Sequence, residues 1–165
     1  MFAVPPNTIA APSTQHALTH PVRVAMATAA EREQWAPLLR YDPDQRWSGL
    51  LSRTEHHEVW LLSWLPGQRT RLHDHGGAVG AFTVVNGVLT ERVARQDSRG
   101  GRIEVVQPLA AGSSRVFGPD YVHEVVNEGP DPAVSVHVYR RERREMNEYE
   151  FDATEGLRHT GRRRW

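Results

Sequence analysis

The sequence predicts a mainly β protein, an antiparallel barrel or sandwich behind a short N-terminal helix, and three observations carry that reading. Short apolar runs recur between residues 58 and 139, most of them closed by a Gly, Pro or Asn turn. Residues 133–139 alternate strictly, with Val134, Val136 and Val138 on one face and Ser135, His137 and Tyr139 on the other. A single stretch, Thr28 to Leu39, consists mostly of good helix formers, with Trp35, Leu38 and Leu39 on one side of it.

The elements follow in chain order. Residues 1–22 carry prolines at 5, 6, 12 and 21 and little pattern, and read as a flexible arm without the basic start and apolar block of a secretory signal. After the helix, Asp42-Pro43-Asp44 marks a break. Glu58 to Trp64 is a nearly continuous apolar run that ends at Leu65-Pro66-Gly67. Val79 to Val85 reads as a strand closed by Asn86-Gly87, a hairpin signal, and Val88 to Val93 continues from it. Ile103 to Val106, Ser114 to Phe117, Val122 to Val126 and Ala133 to Tyr139 complete the set. Residues 23–155 are expected to form one domain, and the charged tail 156–165 to fray. Trp60, Trp64, Phe82 and Phe117 are the expected core aromatics.

Composition narrows the function. The 20 basic residues balance 20 acidic ones, which gives no electrostatic reason for a nucleic-acid or membrane partner. Lysine is absent, so every basic residue is arginine, and arginine richness alone marks no anion site. Cysteine is also absent, which excludes a disulfide, a thiolate metal site and a cysteine nucleophile. Any bound metal must sit on His, Asp or Glu. The cytoplasm is the expected compartment.

The sharpest local feature is Leu72-His73-Asp74-His75-Gly76-Gly77. In a strand, His73 and His75 point to the same face with Cα atoms about 6.6 Å apart. Two imidazoles at that spacing converge on one metal at bond lengths of roughly 2.1 Å. Asp74 points the other way and is a poor ligand. Downstream, Gly112 opens a run through Phe117-Gly118-Pro119-Asp120 to His123, with Asn127 beyond it. The two stretches together resemble the paired motifs of the cupin superfamily, which implies a jelly-roll antiparallel β-barrel with His123 as a third ligand. Two departures stand out. Gly118 and Asp120 replace a proline and a glycine, and Val79 or Gly80 stands where cupins usually carry a glutamate ligand. Three neutral histidines leave the ion's 2+ charge uncompensated, which favours an anionic ligand from the substrate, such as a thiolate.

Further residues sharpen the likeness: Trp64 with Pro66-Gly67, Gly87 to Glu91, His123 to Asn127, and Pro132 to Tyr139 with its Ser-x-His-x-Tyr array. Over roughly residues 45 to 140 the sequence resembles the cysteine dioxygenase family of thiol dioxygenases. The resemblance implies iron(II) on His73, His75 and His123, oxidation of cysteine by dioxygen to its sulfinic acid, and a partner list of one small thiol and dioxygen. It implies that Tyr139 hydrogen-bonds substrate or oxygen and that His137 and Ser135 orient it. Animal members cross-link that tyrosine to a cysteine; Gly80 occupies the position here, so no Cys–Tyr thioether can form. Cysteine-specific members clamp the substrate carboxylate with an early arginine, and Arg46 is the candidate here, with Arg53 next. Relatives that prefer 3-mercaptopropionate supply the alternative substrate, and a non-catalytic metal-cupin that binds a small ligand is the rival of another class. A monomer or homodimer is expected. Among the other residues, His56 and His57 read as a hairpin turn, His16, His20 and His159 as parts of loose termini, and Glu91 as structural.

Overall fold

A computed structural model describes residues 19–99, 101–140, 145–152 and 156–164. Helix α1 (Pro21–Ala30) begins earlier than Thr28 because Pro21 occupies its first turn, where a missing N–H costs nothing. The His20 side chain caps it by accepting from the Val22 N–H at 3.2 Å. Residues 21 and 22 are therefore helical rather than part of an arm, His20 is a cap, and the expectations for residues 1–18, His16 included, lie outside the described residues. The helical stretch is not continuous. Glu31, with φ −85° and ψ 51°, separates α1 from α2 (Arg32–Trp35), and a 3-10 turn (Ala36–Leu38) follows. Among the described residues, no helix is long and apolar enough to cross a membrane.

The strands are β1 (Ser48–Arg53), β2 (His57–Trp64), β3 (Gly80–Asn86), β4 (Val88–Gln96), β5 (Arg102–Ala110), β6 (Ser114–Phe117), β7 (Val122–Val126), β8 (Ala133–Arg140), β9 (Glu145–Asp152) and β10 (Gly156–Arg164). They form an antiparallel sheet in the order β1-β2-β8-β3-β6, a second in the order β5-β4-β7, and a β9–β10 hairpin. Asn86-Gly87 is a turn, but β3 and β4 lie in different sheets, so it carries the chain across the sandwich rather than closing a hairpin. Gly87 takes φ +76°, and a Cβ there would come within 2.9 Å of Ala133, so the crossing needs glycine. Residues 156–164, expected to fray, pair along the whole of β9. The reason is local: Met146, Tyr149 and Phe151 give β9 apolar side chains, and its ladder satisfies the backbone of an otherwise Gly- and Arg-rich strand.

Two clusters divide the core. Val134, Val136 and Val138 of β8 pack outward with Val59 and Leu61 of β2 beneath Ala25 of α1 and Trp35. The opposite face of β8 looks into the barrel, where Trp64, Phe82, Phe117, Leu89 and Tyr139 are buried together. Ser135, His137 and Tyr139 thus face the barrel interior rather than solvent. The burial of Trp64, Phe82 and Phe117 agrees with their expected core role, whereas Trp60 is only partly buried.

Candidate metal centre

His73 and His123 are joined by the backbone. Each donates its N–H to the other's carbonyl at 2.9 Å, so the segment from Arg69 to His73 lies against β7 through isolated bridges instead of forming a full strand. His75 follows two residues on and leads into Gly76-Gly77, both at positive φ. A Cβ on Gly76 would strike the Glu145 carbonyl of β9, so this turn needs glycine for space as well as for conformation. The three histidines are buried, and their ligand atoms all lie within 4.8 Å of one another. The His75 ring stacks on Phe117 at 4.1 Å, which fixes its plane.

The donor set fits a metal. His73 Nδ1 lies 2.7 Å from the Arg71 carbonyl, which can only accept, so Nδ1 carries the proton and Nε2 keeps its lone pair. Burial and the neighbouring His123 lower the His73 pKa from 6.5 to about 3, so the ring is neutral at physiological pH. His123 Nδ1 donates to Glu91 Oε1 at 2.9 Å, with the same consequence for its Nε2. His73, His75 and His123 are the residues that would hold the ion.

Glu91 is more than a structural residue. It is fully buried on β4, and besides His123 it accepts from Arg115 Nε at 3.0 Å and Tyr121 Oη at 3.2 Å. Burial pushes its carboxyl upward, but the hydrogen bonds from His123 and Tyr121 and the charge of Arg115 outweigh that, and the pKa falls below the ordinary value. The charge of an ion held by these histidines would therefore not be left wholly uncompensated by protein, because an ionised carboxylate stands directly behind His123. The signal was in the sequence. Leu89, Glu91 and Val93 alternate onto one buried face, and an acid amid such a face calls for partners.

Asp74 does turn away from the other two motif side chains, as expected, and its task is mechanical. Its carboxylate accepts from the Gly76 N–H at 2.8 Å, Asn147 Nδ2 at 2.9 Å and Tyr149 Oη at 2.7 Å, which pins β9 to the histidine loop. Burial and Asp74 raise the Tyr149 pKa to about 12. His159 of β10 lies against Tyr149 at 5.6 Å and so belongs to this hairpin, not to a loose end. His56 is exposed in the β1–β2 turn, while His57 begins β2.

A cavity of about 600 Å³ opens onto the three histidines and is lined also by Trp64, His137, Tyr139, Arg46 and Arg163. Along its wall runs a chain of hydrogen bonds. Trp64 Nε1 donates to Ser135 Oγ at 2.8 Å, Ser135 Oγ meets His137 Nε2 at 2.9 Å, and His137 Nδ1 meets Tyr139 Oη at 3.2 Å. Phe82 stacks on His137 at 4.8 Å and holds its plane. Arg46, just before β1, lies over the Trp64 ring at 4.6 Å. Arg53 also reaches the cavity but is tied to Glu58 at 2.9 Å. Gly80 has no room for a side chain, since a Cβ there would sit 2.4 Å from the Phe117 ring and 2.5 Å from the Val138 carbonyl.

A double-sheet antiparallel barrel that gathers one histidine pair and a third, distant histidine at its open interior defines a metal-cupin. The family model for cysteine dioxygenase type I matches residues 15–152, and the chain belongs to that family. Solved structures agree on the fold. A Thermus thermophilus protein is 26% identical over 64% of this chain and 91% of its own, with a TM-score of 0.53. A Klebsiella pneumoniae protein with a double-stranded β-helix domain is 23% identical over 64% of this chain and 80% of its own, with a TM-score of 0.54. A cupin-superfamily sugar phosphate isomerase from Silicibacter pomeroyi is 22% identical over 71% of this chain and 76% of its own, with a TM-score of 0.52.

Proposed function

We propose that this protein is a thiol dioxygenase that binds iron(II) on His73, His75 and His123 and oxidises a small carboxylate-bearing thiol, cysteine or 3-mercaptopropionate among them, to the sulfinic acid. The observation that carries the reading is the Trp64–Ser135–His137–Tyr139 chain ending in the same cavity as the three histidines. A barrel that merely stores a metal has no use for an oriented phenol beside it. The bound ion would supply a site where a thiol is held as thiolate and dioxygen is activated. Oxidation of the sulfur matches full reduction of dioxygen, so no further oxidant or reductant is required.

The protein's share is orientation and proton handling. Arg46 presents a guanidinium fork to the substrate carboxylate, with the Trp64 face beneath it. With His137 Nε2 accepting from Ser135 and Nδ1 donating to Tyr139 Oη, the phenolic proton is left to donate toward the substrate or the oxygen. Phe82 and Phe117 keep the inner wall dry. The reaction suits the cytoplasm, where thiols are kept reduced. Oxygen uptake by the iron(II)-loaded protein, with cysteine and 3-mercaptopropionate offered separately and sulfinate assayed, tests the proposal. Uptake that matches sulfinate formation and is lost in His123→Ala supports it. No uptake with either thiol by protein that holds iron moves the assignment to a ligand-binding cupin.

A further inference from the structure

Two cations in the cavity exceed what a monocarboxylate thiol can use. Of the arginines that line it, Arg53, Arg69 and Arg71 are each held by a glutamate, at 2.9 to 3.6 Å. Arg46 and Arg163 have no carboxylate within ion-pair distance among the described residues. They come from opposite ends of the chain: Arg46 precedes β1, and Arg163 lies on β10, opposite Met146 of β9. Burial lowers the Arg46 pKa; Tyr139 opposes that shift, while the charge of Arg163 adds to it, so the two guanidiniums feel each other across the cavity. Like charges facing one space repel unless an anion comes between them.

Their depths differ. Arg46 is half-buried over Trp64, whose N–H anchors the hydrogen-bonded chain to Tyr139, whereas Arg163 is exposed at the mouth. The volume, about 600 Å³, is several times what a three-carbon thiol fills, so an occupant held at the histidines and Arg46 leaves the Arg163 end open. We propose that Arg46 and Arg163 form a two-carboxylate subsite and that the site prefers thiols bearing two carboxylates, such as 2-mercaptosuccinate, over thiols bearing one. This rests on the thiol dioxygenase reading of the same cavity. The inner carboxylate takes Arg46 and the outer one takes Arg163, each as a charge-assisted pair.

The test separates binding from turnover. Calorimetric titration of the iron(II)-loaded protein without oxygen compares 2-mercaptosuccinate with 3-mercaptopropionate, and oxygen uptake is then measured with each. Expected are affinity and kcat/KM about tenfold better for the dicarboxylate, a preference that shrinks with added salt because Arg163 is exposed. Arg163→Gln abolishes that preference, Arg163→Glu reverses it, and Arg46→Gln weakens both ligands. Equal affinities in the parent protein, or a preference that survives both Arg163 substitutions, overturn the subsite even if both thiols are oxidised. A preference that depends on Arg163 while neither thiol consumes oxygen keeps the subsite and overturns the oxidation reading instead.

Discussion

Glu91 shows how one side chain behind a ligand sets a metal site. Its carboxylate, at 2.9 Å from His123 Nδ1, fixes the tautomer and would add negative charge, through the ring, to an ion held at Nε2. Glu91→Gln keeps the shape but removes the charge and leaves Arg115 without its partner. Metal affinity, read by competition with a chelator, is expected to fall about 10- to 100-fold. Unchanged affinity would mean that Glu91 serves the fold alone. Gly80 supplies a second test at this scale. The phenylalanine ring that packs on His75 also occupies the space a cysteine side chain would need, so Gly80→Cys is expected to leave Tyr139 uncross-linked. Overpacking there should cost about 1–3 kcal/mol in denaturant unfolding, and intact-mass measurement would reveal a thioether if one formed. The clustering of His73, His75 and His123 and the inward-facing Ser135-His137-Tyr139 array were legible because motif spacing and strand alternation expose them directly. Arg163 was not, since nothing in a Gly- and Arg-rich tail tells which arginine a hairpin will carry to a cavity mouth.

At the scale of elements, the β9–β10 hairpin closes one side of the site, and Asp74 fastens it. Asp74→Ala removes the acceptor for Gly76, Asn147 and Tyr149 and is expected to destabilise the protein by about 1–3 kcal/mol. Hydrogen exchange should then speed up in residues 145–152 and 156–164 more than in β8, and uniform exchange in all three strands would contradict the fastening role. The strand cores from β2 to β8 could be read from apolar runs and turns. The Asn86-Gly87 crossing was misread because the same dipeptide serves any turn that needs positive φ; whether its flanking strands pair is decided by distant partners, here β8 and β6 for β3, and β5 and β7 for β4. The early start of α1 was hidden for a related reason. Proline looks like a breaker unless it sits in the first turn.

For the whole molecule, a buried neutral histidine couples the centre to stability. The His73 pKa falls from 6.5 to about 3 on folding, so between those values the unfolded chain binds the extra proton. In metal-free protein this contribution is fully present above pH 6.5 and is lost as the pH falls toward 3. Urea midpoints taken from neutrality down to about pH 4 should decline, and His73→Gln should flatten the decline; an identical slope in the variant would remove His73 from the account.

The proposed function makes one central claim at the scale of atoms, that sulfur receives both atoms of a dioxygen molecule in the cavity beside the three histidines. Mass spectrometry of the product formed by iron(II)-loaded protein under isotopically heavy dioxygen tests it most directly. The account predicts a sulfinic acid carrying heavy oxygen at both sulfur-bound positions, with none of this product in His75→Ala. A product labelled at one position, or a disulfide free of label, would contradict it.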